Sequence, residues 1–249
     1  MNKTKSGFNW RINTRLSVFT LVLLPVLVYL GVWQLSRATE KQSILESHRA
    51  QQSLPMEALA LFSNSREFEF RRISAKGVFD SSKYWLIEGK VLRGIVGYEV
   101  LMPFKPKGSS DWLLVNRGWV RADPDRNVLP LLSMPAGSVF IQGTVLSIYD
   151  SPLIDERRNP INAWPHRILE VDTELMAEQF GAPLMPVVLL LSNENEYAFE
   201  IIHKPVNMPP EKHVAYAVQW FGLAVALIVL WLLSNSNLWS LISRETHIK

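Results

Sequence analysis

Two long apolar runs bracket a middle segment of alternating pattern. Residues 16–36 run 21 positions without a charge between Arg15 and Arg37, and residues 214–233 run 20. A helix rises ~1.5 Å per residue, so each run reaches roughly 30 Å, the thickness of a bilayer's hydrocarbon core. Both read as transmembrane helices. Pro25 inside the first is tolerated in a membrane. The basic flank of Lys3, Lys5, Arg11 and Arg15 also suits a signal peptide, but the apolar core is long for one and no Ala-x-Ala cleavage site follows.

Between the runs the period changes to two. Residues 67–73 alternate, as do stretches around 84–87, 98–104, 112–120 and 139–148, with Gly and Pro between them. Short runs at 167–171 and 184–191 add two more strands. Residues 173–181 spell one short helix, with Thr173 or Asp172 as N-cap and Gly181 ending it. Residues 38–62 continue the first helix, with a breaker at Pro55. The expected fold is a two-span α+β membrane protein with one mostly antiparallel β domain, a curled sheet or partial barrel. Its parts are a tail (1–15), a span (16–36), the β-rich domain (37–213), a second span (214–233) and a second tail (234–249).

Charge orients this layout. The first tail carries four basic and no acidic residues, and the second carries Arg244, Glu245 and Lys249, so both are expected on the cytoplasmic side. Subtracting the tails from the net +3 leaves the middle segment at −2, which suits an extracytoplasmic domain. Tails of about 15 residues give a receptor no cytosolic output domain, and two spans are too few for inverted-repeat transport. A short first tail without a long Arg- and Ser-rich transit peptide favours a bacterial cell membrane over a mitochondrial one.

Composition narrows the chemistry. With no cysteine, thiolate zinc, iron–sulfur and thiolate copper sites are excluded. The pI near 9.1 rests on 26 basic against 23 acidic residues, with no basic stripe for nucleic acid. No zinc-hydrolase, nucleophile-elbow, phosphate-loop or dinucleotide motif occurs. The acid pairs Asp123 with Asp125 and Asp155 with Glu156 read as solvated turns. No catalytic residue is assigned, and a non-enzymatic role is expected.

The remaining chemistry sits at the outer helix ends. Trp33, Arg37 and Lys41 are spaced four apart on one face. His213, Tyr216 or Ala217, Trp220 and Ala224 form a stripe on the second helix. In the expected topology both clusters lie at one interface, where they could build a single site. The same residues also read as an ordinary aromatic belt, with snorkelling cations and a surface histidine. His48, His166, His203 and His247 lack ligand spacing. In Asn116-Arg117-Gly118-Trp119, one strand face carries Arg117 and Trp119. They are either a stacked structural pair, with Gly118 permitting close approach, or a partner-binding surface.

Five blocks together carry a family resemblance. They are Gly31-x-Trp33-Gln34-x-x-Arg37-x-x-x-Lys41, Gly97-Tyr98-x-Val100 leading to Pro103-Phe104, Val115-Asn116-Arg117-Gly118-Trp119-Val120, Trp164-Pro165-x-Arg167-Ile168, and His213-x-x-Tyr216-Ala217-x-x-Trp220-Phe221. In order and topology the chain resembles the Surfeit locus protein one family of cytochrome oxidase assembly factors. Arg121, and Glu211-Lys212 ahead of the histidine, depart from that family's common residues.

The resemblance implies an inner-membrane factor that assists haem a delivery to the catalytic subunit of a haem-copper oxidase, with a haem-synthesising membrane enzyme as a further partner. It implies His213 as the haem-iron ligand. Trp33, Tyr216 and Trp220 would then pack the macrocycle, and Arg37 or Lys41 would meet its propionates. Two alternatives stay open, a membrane-tethered scaffold that binds no haem and an extracytoplasmic enzyme of unknown substrate.

Overall fold

The computed structural model describes residues 9–59, 68–125, 127–147 and 163–237. In chain order the elements are α1 (Thr14–Ser53), β1 (Glu57–Ala58), β2 (Arg72–Phe79), β3 (Trp85–Leu92), β4 (Ile95–Pro106), β5 (Trp112–Arg121), β6 (Val139–Ser147), β7 (His166–Ile168), α2 (Thr173–Phe180), β8 (Leu184–Leu191) and α3 (Pro210–Asn235). The chain divides into two units, residues 1–45 with 206–249, and residues 46–205. The charged ends of both tails, His247 and the Asp155-Glu156 pair lie outside the described residues.

The first unit is a helix pair. Each expected span sits inside a longer helix, and both helices are long and apolar enough to cross a membrane. Asn13 starts α1 by accepting the Leu16 N–H at 3.2 Å, and Pro210 opens α3, where a missing N–H costs nothing. The buried stripe is Thr20, Leu27, Gly31 and Ala38 on α1, against His213, Ala217 and Ala224 on α3. Small residues let the backbones approach closely. A Cβ added to Gly31 would sit 2.6 Å from the Phe221 ring. At the opposite end, fully buried Asn235 accepts the Asn13 N–H at its side-chain oxygen (2.5 Å) and the Arg11 N–H at its carbonyl (2.7 Å). Trp231 donates to Ser17 Oγ at 3.0 Å. Outside the stripe, Leu21, Val22, Tyr29, Val218 and Leu230 are exposed.

The second unit is a mixed eight-stranded sheet. Its order is β1-β2-β6-β8-β5-β4-β3-β7, and a further β2–β4 pairing closes β2, β6, β8, β5 and β4 into a ring. Ile73, Phe104, Leu113, Val115, Ile141 and Leu189 fill the interior. Trp85, Leu101 and Leu114 form a second cluster with Met176 and Phe180 of α2. That helix is capped by Asp172, whose carboxylate accepts the Glu174 and Leu175 N–H groups, and is closed by Gly181.

The sheet is mostly antiparallel, as expected, with β1–β2, β3–β7 and β5–β8 parallel. Two sequence expectations need correction. Of the alternation expected at 67–73, only Arg72 and Ile73 are strand, and residue 67 lies outside the described set. Phe68–Phe70 form a turn with Phe70 at φ 64°, and its ring meets His48 at 5.2 Å, so β2 begins only at Arg72. The helical continuation stops at Ser53 ahead of Pro55, after which Glu57 and Ala58 pair with β2; residues 60–62 lie outside the described set.

The Asn-Arg-Gly-Trp block straps the chain leaving β8 onto β5. Phe199 N–H donates to the Arg117 carbonyl (2.5 Å), and Trp119 N–H donates to the Glu200 carbonyl (2.7 Å). Arg117 Nε donates to the Tyr197 carbonyl (2.8 Å), and the guanidinium lies 4.4 Å from the Phe199 ring centroid. Among the described residues it has no carboxylate partner, and burial pulls its pKa down to about 10. Its stacking partner is therefore Phe199, while Trp119 donates its indole N–H to the Lys90 carbonyl (3.2 Å). Arg117 is 1% and Trp119 9% exposed, so this pair is not a docking surface. Gly118 holds φ 103°, and a Cβ there would lie 2.9 Å from the Glu200 carbonyl oxygen.

Two measurements check these packing arguments. Gly31→Leu overfills the helix seam and should cost about 1–3 kcal/mol. Thermal unfolding in detergent should show a lower midpoint for it, while Gly222→Leu, whose Cβ meets nothing within 4 Å, should match the parent. Gly118→Ala should cost about 1–3 kcal/mol in backbone strain. Hydrogen exchange should then speed up at the Phe199 and Trp119 amides and leave Val115 protected.

Candidate functional site

His213 lies in the first turn of α3 on the stripe that faces α1, and it is 8% exposed. Its Nδ1 is 2.7 Å from Gln34 Oε1. In the neutral ring, an amide oxygen facing Nδ1 accepts a hydrogen bond from the proton held there and leaves the lone pair on Nε2. That Nε2 is buried and has no hydrogen-bond partner among the described residues.

Burying a polar atom unpaired costs about 1–3 kcal/mol, so each instance asks for an explanation. Thr20 Oγ1 and Arg71 Nε share the condition. A hydroxyl rotates to suit its surroundings, and a guanidinium nitrogen is a donor with no lone pair to offer. His213 Nε2 alone of the three is a strong ligand for a transition metal. No group of three or more His, Cys, Asp or Glu side chains that could hold a metal ion by themselves occurs among the described residues. His213 Nε2 can supply one ligand to a metal centre, whose other ligands would have to come from elsewhere.

The other expected site residues divide. Of the alternatives Tyr216 and Ala217, Ala217 takes the buried stripe one turn beyond His213. Tyr216 and Trp33 face outward at 44% and 45% exposure, and Trp220 is half-buried. Arg37 and Lys41 share one carboxylate, with Arg37 paired to Glu40 Oε2 and Lys41 Nζ 3.0 Å from Glu40 Oε1. The structure thus places His213 in the seam with Gln34, the aromatics toward the outside, and both cations on Glu40. Of the other histidines, His48 packs on Phe70, His166 begins β7, and His203 is exposed.

Gln34 and Glu40 were not picked out as site residues from the sequence. The signal for Gln34 was present. It is an uncharged polar residue inside an apolar run, three after Gly31 and four before Ala38, which places it on the seam.

A family model described as the SURF1 family matches residues 21–225. The chain is 25% identical over 231 residues to a SURF1-like protein of Rickettsia felis, covering 89% of this chain and 97% of that one. It is 27% identical over 237 residues to Surfeit locus protein 1 of Homo sapiens, covering 86% of this chain and 75% of that one. A match that takes in Gln34, the strand domain with its Arg117 strap, and His213 covers most of the molecule, and the chain belongs to the SURF1 family.

Proposed function

We propose that this protein spans a bacterial inner membrane through α1 and α3 and assists assembly of a haem-copper cytochrome oxidase, His213 offering an axial nitrogen to haem a bound for the catalytic subunit. The observation that carries this reading is His213 itself, a buried imidazole with Nδ1 held by Gln34 and Nε2 unpartnered among the described residues. A haem-synthesising membrane enzyme is the proposed donor, and both termini are assigned to the cytoplasm. The open apolar faces of both helices support a lipid surround, because water-exposed patches of that extent are rare on soluble proteins.

Haem a would supply an iron centre and a pair of carboxylates. The chain's own residues would do the holding. His213 Nε2 is the nitrogen that would hold the iron. Trp33 and Tyr216 expose aromatic surface on the same helix pair, with Trp220 half-buried. Arg37 and Lys41 are available to propionates by exchange, since their exposed pairing with Glu40 is worth only about 0–1 kcal/mol. Their role is to bind and hand over, with no reaction catalysed by this chain.

One observation favours a second reading, a scaffold that binds no haem. The tip of the β3–β4 hairpin exposes Val91, Ile95 and Val96, an apolar patch suited to a protein partner.

The absorption spectrum of the detergent-purified chain, produced in cells that make haem a, decides between them. The carrier reading expects a reduced haem band that is lost in His213→Ala. A folded parent protein without a band, with oxidase assembly still dependent on it, supports the scaffold instead.

A further inference from the structure

We infer that Gln34 is the positioning residue of His213, fixing which imidazole nitrogen is bare and keeping its hold on iron weak enough for release. The inference rests on the reading that His213 meets haem iron, and its first half can be tested without haem.

Gln34 lies on the seam face of α1 between Gly31 and Ala38, and its oxygen is 2.7 Å from Nδ1. In an apolar surround this bond satisfies two polar groups that would each be costly alone. It also decides the tautomer, because an imidazole that donates from Nδ1 presents an unprotonated Nε2. The opposite arrangement, with the Gln34 amide donating to a bare Nδ1, would place the proton on Nε2 and close that nitrogen to metal.

The choice of amide matters as much as its position. Metal-bound histidines commonly donate their second N–H to an acceptor that orients the ring and raises its basicity, and changing that acceptor shifts metal affinity by about 10–100-fold. A carboxylate pulls on the proton harder than a neutral amide oxygen does. Glu40, the carboxylate that feels the charge of His213, is engaged by Arg37 and Lys41, and the group hydrogen-bonded to the imidazole is the neutral amide of Gln34. The imidazole is thereby oriented without being made strongly basic, which suits a ligand that must let go.

The test uses the full chain in detergent, labelled with [15N]histidine, with His213→Ala to assign the signals. Without haem, the parent should show a protonated Nδ1 and a bare Nε2, and Gln34→Leu should lose that single tautomer. With haemin as probe and apomyoglobin as acceptor, Gln34→Leu should release haem about 10–100-fold faster. Gln34→Glu, which keeps both size and acceptor, should release it more slowly and shift the iron midpoint potential downward. A protonated Nε2 in the parent, or a Leu variant with unchanged tautomer, overturns the positioning role. Equal release from the parent and Gln34→Glu overturns the tuning. The expected tautomer in a chain that takes up no haemin would support the positioning and refute the haem reading alone.

Discussion

Close approach of two helix backbones is the constraint on which the site depends. Side chains ordinarily hold helix axes 8–10 Å apart, and the near end of that range requires small residues at the contact. Gly31 provides it where the Phe221 ring occupies the space of a Cβ, and Ala38, Ala217 and Ala224 continue the seam. In this seam the Gln34 amide on one helix meets the His213 imidazole on the other at 2.7 Å. The Asn235 clasp with Asn13 and Arg11 closes the opposite end, so both ends of the pair are joined by polar contacts in a largely apolar surface.

The strand domain meets a different demand with a buried cation. Arg117 gives up hydration without a carboxylate in return among the described residues and is held by a carbonyl, an aromatic face and the sulfur of Met102 at 3.1 Å. Removing one partner from a buried polar arrangement costs more than the arrangement is worth as a net gain. That asymmetry accounts for the specificity of the Asn-Arg-Gly-Trp block. Asn116 accepts the Gly118 N–H at 2.8 Å, Gly118 supplies the conformation, Arg117 and Trp119 hold the strap, and no member substitutes for another.

Much of this was legible in the sequence because it is local. A bilayer-length apolar run needs no tertiary information, and β4, β5, β6, β8 and the capped α2 follow from alternation and end signals. The parallel pairings and the β2–β4 closure join segments far apart in the chain, which periodicity does not reach. The alternation at 67–73 yields strand only from Arg72, because Phe68–Phe70 form a turn that sets the Phe70 ring against His48. At the site, His213 was visible and Gln34 was overlooked, since its importance appears only with the partner helix in place. Tyr216 and Ala217 were inseparable for a related reason: both i+3 and i+4 lie over the same face.

The central proposal is that His213 Nε2 would hold haem iron, and the most direct measurement is pulsed EPR of the ferric haem-loaded chain carrying [15N]histidine, beside its His213→Ala variant. The account predicts a strong 15N hyperfine coupling that disappears when the histidine is supplied unlabelled and is absent from the labelled variant. A ferric spectrum identical with labelled and unlabelled histidine would show that the iron is held by something else, and would contradict it.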